Sequence, residues 1–367
     1  GRAGGTGSPA GRGQGSGRGQ AAADFTTAQR YDLPVPPAVS AKDEFFEFLF
    51  SGAETSYSTL KDLAERREPL PHFALKNVKL TFHVAPEYSL VTTRLSRNVV
   101  GVIEGTDPKL KDTFVAFGAH YDHIGYQQNQ PAASVRTVVS DPGGCTGQTR
   151  PEPREGDIIY NGADDDGSGT VALMAIARAF ALGPKPRRSL VFVWHTAEES
   201  GLQGSRYNAD FPVVPNEKII AQLNVDMIGR NRCDDPSQSN TVYLVGADRI
   251  STDVHNISEE ANAGLATPMT LDYELNDPAD PQSLYTRSDH YSYAAKGIPV
   301  IFYTTGLHKD YHYLTDEIDR IEFAKMARVA QLVYATGQRL ANLERAPVRD
   351  NRGPRAVKGS RGKLTPR

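Results

Sequence analysis

The stretch from Arg187 to Gly201, RRSLVFVWHTAEESG, constrains the fold more than any other in the chain. Leu190 to Trp194 is an unbroken apolar run rich in β-branched and aromatic residues. Such a run reads as a strand buried on both faces, the habit of parallel sheets covered by helices. The run stops at His195, and two adjacent carboxylates, Glu198 and Glu199, follow. In open α/β sheets, ligands gather just beyond the carboxyl ends of the strands. Two neighbouring acids there repel one another unless a cation or a shared proton relieves them. Read alone, the pair could equally be a solvated turn.

Other strands repeat the pattern. Thr113 to Gly118 (TFVAFG) runs into Ala119-His120-Tyr121-Asp122-His123, and Lys218 to Val225 (KIIAQLNV) ends at Asp226. Asn98 to Glu104, Thr241 to Gly246 and Ile298 to Tyr303 read as further strands, and the last leads to His308 and His312. Between them lie helical stretches: one beginning near Ser168, one over Ser251 to Ala263, a short one opening at Arg287-Ser288-Asp289-His290, and a closing amphipathic helix over Glu322 to Leu343. Alternating strands and helices predict an α/β fold, a three-layer α/β/α sandwich with a mostly parallel central sheet and one site at its carboxyl edge.

The rest of the chain frames that domain. Its 367 residues exceed what one ordinary core needs. Residues 1–23 are Gly-rich and predict disorder; with three Arg among the first twenty residues and no aromatics there, a nucleic-acid-binding segment is disfavoured. Residues 24–84 are amphipathic with a Pro-punctuated entry and predict short helices, followed by a half-exposed strand over Lys76 to Val84. Residues 346–367 are basic, carry Pro and Gly, and predict a disordered tail. The net charge of −3 gives no bulk attraction to nucleic acid, and no apolar run is long enough for a membrane span. The chain starts at Gly1 without Met, which fits a removed signal peptide and a secreted or periplasmic protein. Cys145 and Cys233 form no CxxC; one disulfide and two separate thiols are both open.

The chemistry collects at the strand ends. A neutral imidazole two residues from a carboxylate, as in His120 and Asp122, suits a metal ligand and the partner that orients it. His123 is expected in the core or behind a ligand rather than as a ligand. Asn161 to Thr170 reads NGADDDGSGT ahead of a helix. One Asp would cap that helix; three in a Gly-flanked turn concentrate more charge than a cap needs, as a bound dication would explain. His120, Asp165, Glu198, Glu199, Asp226 and His312 form a mixed N/O donor set that suits zinc, and two ions sharing a carboxylate would use them all. No GxSxG elbow and no HExxH is present.

The segments GAHYDH, NGADDDGSGT, HTAEESGLQGS, NVDMIGR, RSDHYSYAAKGIPVIFYTTG and HKDYHYLTDEID, over about residues 98–342, together resemble the zinc aminopeptidases of peptidase family M28. The resemblance implies two zinc ions bridged by Asp165, one also held by His312 and Glu199, the other by His120 and Asp226. It implies Glu198 as general base, Asp122 as the acid orienting His120, and Tyr311 as a donor to the oxyanion. It also implies a cis peptide between Asp165 and Asp166, and an 85–345 catalytic domain preceded by the closing part of a protease-associated insert. The expected activity is release of the N-terminal residue from peptides with a free amino terminus. A glutaminyl-cyclase-like transferase with one zinc, and an inactive binding homologue, are the alternatives. Both imidazoles and an intact Glu198 weigh against them.

Overall fold

The computed structural model describes residues 41–65, 70–71, 73–76, 78–81, 95–126 and 145–366. The Gly-rich segment 1–23 and most of the Gln127 to Gly156 loop lie outside them. Of the described residues, those up to 81 belong to one compact unit and those from 95 onward to another.

The first unit contains two short helices, α1 (Asp43–Leu49) and α2 (Tyr57–Glu65). Phe46 stacks on Tyr57 at 5.3 Å between ring centroids, and the Asp43 carboxylate accepts from the Tyr57 hydroxyl (2.9 Å) and Lys61 (2.6 Å). The strand expected over Lys76 to Val84 does not form at residues 78–81, and its other end lies outside the described residues.

In the second unit the chain runs through β1 (Val99–Ile103), β2 (Phe114–His120), β3 (Gly125–Tyr126), β4 (Ile159–Tyr160), α3 (Gly169–Leu182), β5 (Ser189–His195), α4 (Gln203–Asp210) and β6 (Ile219–Val225). It continues through β7 (Thr241–Val245), α5 (Thr252–Ala263), β8 (Thr270–Asp272), α6 (His290–Ala294), β9 (Val300–Thr304) and α7 (Phe323–Ala341). Seven strands form one sheet in the order β1-β5-β2-β6-β9-β7-β8, and β3 pairs with β4 in a small separate ribbon. The four central strands, β5-β2-β6-β9, are mutually parallel; β1 joins β5 and β7 joins β9 antiparallel.

Period-2 alternation sorts each central strand between two layers. Val115, Phe117, Leu190, Phe192 and Leu223 pack with Leu173, Ile176, Phe180, Val329, Leu332 and Val333 of α3 and α7 on one face. Ala116, Val191 and Val193 pack with Tyr293 of α6, Ile298 and Val300 on the other. Full burial on both faces is why β5 is apolar from Leu190 to Trp194; in β6 the alternating Gln222 and Asn224 are buried too, bonded to one another, with Asn224 also donating to Ser288 Oγ. After β5 the chain crosses over β2 to reach β6. The crevice beyond β5, β2 and β6 is therefore the switch point at which such sheets hold ligands.

The basic tail expected beyond Ala346 differs from expectation. It is described to residue 366 and lies as an extended strap along α5 and β8. The buried Asp248 carboxylate accepts the amides of Arg355 (2.5 Å) and Ala356 (2.6 Å), and Asn256 exchanges two hydrogen bonds with Leu364. Composition alone misreads such a strap, because its order comes from acceptors a hundred residues away.

Candidate metal centre and catalytic cleft

Three strand ends place the first group of side chains. His120 ends β2 in register with His195 at the end of β5, and Asp226 directly follows β6. His120 Nε2 lies 3.2 Å from Asp165 Oδ1 and 3.6 Å from Asp226 Oδ2. Ser288 donates to the same Asp226 oxygen at 2.6 Å. Burial raises the Asp226 carboxyl, partly countered by His120 and that hydroxyl.

The aspartate turn between β4 and α3 divides its three acids by task. Asp164 accepts from the Gly229 amide at 2.6 Å and lies 3.2 Å from His308. Asp166 accepts from the amides of His120, Gly169 and Met227. The flanking acids thus staple backbone, and only the middle one, Asp165, faces the cleft. The amides of Asp164 and Asp165 are in turn held by the Asp316 carboxylate, and the Asp165–Asp166 peptide is cis. Gly162 opens this turn at φ +59°; a Cβ there would lie 2.2 Å from the Asp165 carbonyl oxygen, so no other residue fits.

Loops bring the second group. Glu199 Oε2 and Asp165 Oδ2 lie 3.0 Å and 3.1 Å from His312 Nε2. Asp165 therefore presents one carboxylate oxygen to each histidine. Burial pushes its carboxyl up, but the two imidazoles outweigh that and hold it well below the usual range. Burial also opposes the His312 imidazolium, yet the two carboxylates raise it to about 9. Glu198 is buried, and desolvation, with the charges of Asp289, Asp226 and Glu199, holds its carboxyl well above the usual range against the pull of His120.

Asp122 reaches His120 through its main chain rather than its carboxylate. His120 Nδ1 meets the Asp122 backbone carbonyl at 3.0 Å, while the carboxylate is 3.8 Å away and accepts the amides of Glu198 (3.0 Å) and Glu199 (3.4 Å). One residue thereby orients the imidazole through its main chain and the glutamate loop through its side chain. Tyr311 stacks on His312, and its hydroxyl accepts from Arg287 Nη2 at 2.9 Å. The cleft between these groups has an apolar wall of Met227, Leu284, Phe302 and Leu307.

Three participants leave only weak signals in the sequence. The RSD segment marks Arg287 and Ser288 as part of the resemblance and as the start of a helix, without a role for either side chain. His123 is expected in the core or behind a ligand, yet its Nδ1 lies 2.6 Å from Glu199 Oε1. The adjacency of RSD and the doubled His of HYDH were the available signals. Cys145 and Cys233 are disulfide-bonded, and both sides of the bond meet the 307–313 segment: Cys233 N donates to the Leu307 carbonyl, and Arg150 Nε donates to that of Lys309 while its guanidinium lies over the Tyr313 ring.

The donor set fits metal. His120 Nε2, both nitrogens of His123, Asp165 Oδ2 and Glu199 Oε1 are buried without a hydrogen bond, a costly state for polar atoms unless a cation takes their lone pairs. Among the described residues two groups can each surround an ion, His120/Asp165/Asp226 and His123/Asp165/Glu199.

Residues 98–337 match the family model described as Peptidase family M28. Among curated relatives, a probable leucine aminopeptidase of Arthroderma otae is 27% identical over 64% of this chain and 56% of its own length. Leupeptin-inactivating enzyme 1 of Streptomyces exfoliatus is 31% identical over 46% of this chain and 35% of its own. The chain thus spans at most a little over half of these relatives. Among solved structures, the Legionella pneumophila LapA aminopeptidase covers 68% of this chain and 55% of its own at 23% identity and a TM-score of 0.48.

Proposed function

The chain belongs to peptidase family M28, and from that premise we propose that it is a zinc aminopeptidase that binds two ions and removes an apolar N-terminal residue from peptides. The observation that carries this reading is the shared Asp165 carboxylate, whose two oxygens lie 3.2 Å and 3.1 Å from imidazoles on opposite sides. His120, Asp165 and Asp226 would hold one ion; Asp165, Glu199 and His312 the other.

Zinc held there supplies Lewis acidity, activating a water and polarising the scissile carbonyl. The protein supplies the proton transfers and the alignment. Glu198 removes the proton of the attacking water and returns it to the leaving amine, and its burial makes it a stronger base than an exposed Glu. Arg287 has only donors, so the Tyr311 oxygen accepts from it and the phenolic hydrogen is left for the oxyanion. The carboxylates around the cleft give the free α-amine its counter-charge. The apolar wall of Met227, Leu284, Phe302 and Leu307 supports an apolar first side chain. The disulfide supports an oxidising compartment, outside the cytosol. Among the described residues no helix is long and apolar enough to cross a membrane.

The test compares one peptide with and without an N-acetyl group, with products identified by mass. The free peptide should lose its first residue and the blocked one should react at least about 100-fold more slowly, because misplacement of the carbonyl by about 1 Å costs on that order. Equal cleavage of the two, or release from the carboxyl end, overturns the aminopeptidase assignment.

A further inference from the structure

Resting on the two-ion reading above, we propose that His123 is a direct metal ligand. It closes the Asp165/Glu199/His312 site with a fourth protein donor and leaves the His120/Asp165/Asp226 site open. The argument begins with the imidazole itself. The His123 side chain is only 8% exposed, and neither ring nitrogen makes a hydrogen bond. Its Nδ1 lies 2.6 Å from Glu199 Oε1 and 3.9 Å from Asp165 Oδ2, and its ring meets that of His312 edge-on at 5.7 Å. Four donors about 2.0–2.1 Å from a tetrahedral zinc lie roughly 3.3 Å from one another. Both imidazoles face Asp165 Oδ2, at 3.9 and 3.1 Å, and the Glu199 carboxylate turns one oxygen to each, at 2.6 and 3.0 Å, separations on either side of that value.

Position is fixed by the chain. Gly162 passes so close that a Cβ there would lie 2.5 Å from His123 Cγ, so the aspartate turn and the imidazole are packed as one unit. The two sites then differ in kind. Zinc sites with four protein ligands are closed and structural, whereas sites with three keep a position for water or substrate. The His123 site holds its ion as part of the architecture, and the His120 site presents an open position to the substrate.

Stepwise dialysis of the full chain against a chelator, with zinc counted by mass spectrometry, tests this. Wild type should lose one ion early and retain the second at a chelator strength at least about tenfold higher. Asp226→Asn should lack the early ion and keep the late one. His123→Ala and His123→Asn should merge the two losses. Cobalt bound at the late site should change its visible absorption in both variants, which a structural role alone would not produce. The Asn variant decides the matter if the Ala variant fails to fold. Unchanged retention and spectrum in the variants overturn the proposal, as does weakened retention with an unchanged spectrum, which leaves His123 acting only through Glu199. A wild type holding fewer than two ions instead breaks the two-ion reading on which the proposal stands.

Discussion

The site has a half carried by strands and a half carried by loops, and the two are held in place by different means. His120 and Asp226 sit at the ends of β2 and β6, where the hydrogen-bonded ladder of a fully buried sheet fixes them; the His120 side chain is 1% exposed. Glu199, Tyr311 and His312 hang on loops. His312 is 37% exposed and adopts φ +56°, a conformation a non-glycine residue holds only when its surroundings impose it. Those surroundings are side-chain staples: Arg230 on Asp310, Asp316 on the aspartate turn, and the disulfide beside Leu307. Side chains at strand ends come with the core, whereas those on loops need dedicated partners. The loop half can therefore be disabled without unfolding the sheet.

The sharpest test of that contrast lies within one dipeptide. Glu198→Gln should cut kcat by about 1000-fold, since it removes only proton transfer, and should leave both ions bound. Glu199→Gln should cost the loop-side ion while the strand-side ion stays. Steady-state kinetics beside metal analysis reads both; loss of metal from the Glu198→Gln variant would show that the two roles are exchanged.

Replacing both cysteines by serine should lower stability by about 2–4 kcal/mol, because the bond closes a span of 88 residues. Retention of the loop-side ion should fall with it, while the strand-side ion is held as before. Denaturant titration and metal counting report these separately, and equal weakening of both ions would erase the distinction between the halves.

Tyr311→Phe should reduce kcat about 100-fold with little change in KM, the loss expected for one oxyanion donor. Arg287→Gln should cost part of that alone and almost nothing further when combined with Tyr311→Phe. Additive effects in this double-mutant cycle would separate the guanidinium from the phenol.

The smallest effect belongs to the strand half. Ser288→Ala removes one hydrogen bond to the Asp226 carboxylate and should weaken the strand-side ion by at least about tenfold, the lower end of the roughly 1.5–3 kcal/mol of such bonds. A larger loss than that of the disulfide variant would mean that the sheet alone does not hold Asp226.

The sequence by itself determined the sandwich and its chemical edge. The run Leu190–Trp194 is apolar because both faces of that strand are covered, and His120, Glu198, Glu199 and Asp226 follow where the central strands stop. Periodicity and termination are local properties, so they are written in consecutive residues. Tertiary structure decided the rest. The sequence reading aligned Asp165 with the bridging acid by resemblance; the physical reason it faces the cleft is that Gly229, His308, Met227 and the His120 amide occupy its neighbours. The expected disorder beyond Ala346 gave way to Asp248, more than a hundred residues upstream of Arg355. His123, Asp122 and Arg287 acquired their partners across separations of 24 to 76 residues. A hydrogen-bond or ligand partner brought in by a loop leaves no period in the sequence, because its position is set by where two distant backbones meet.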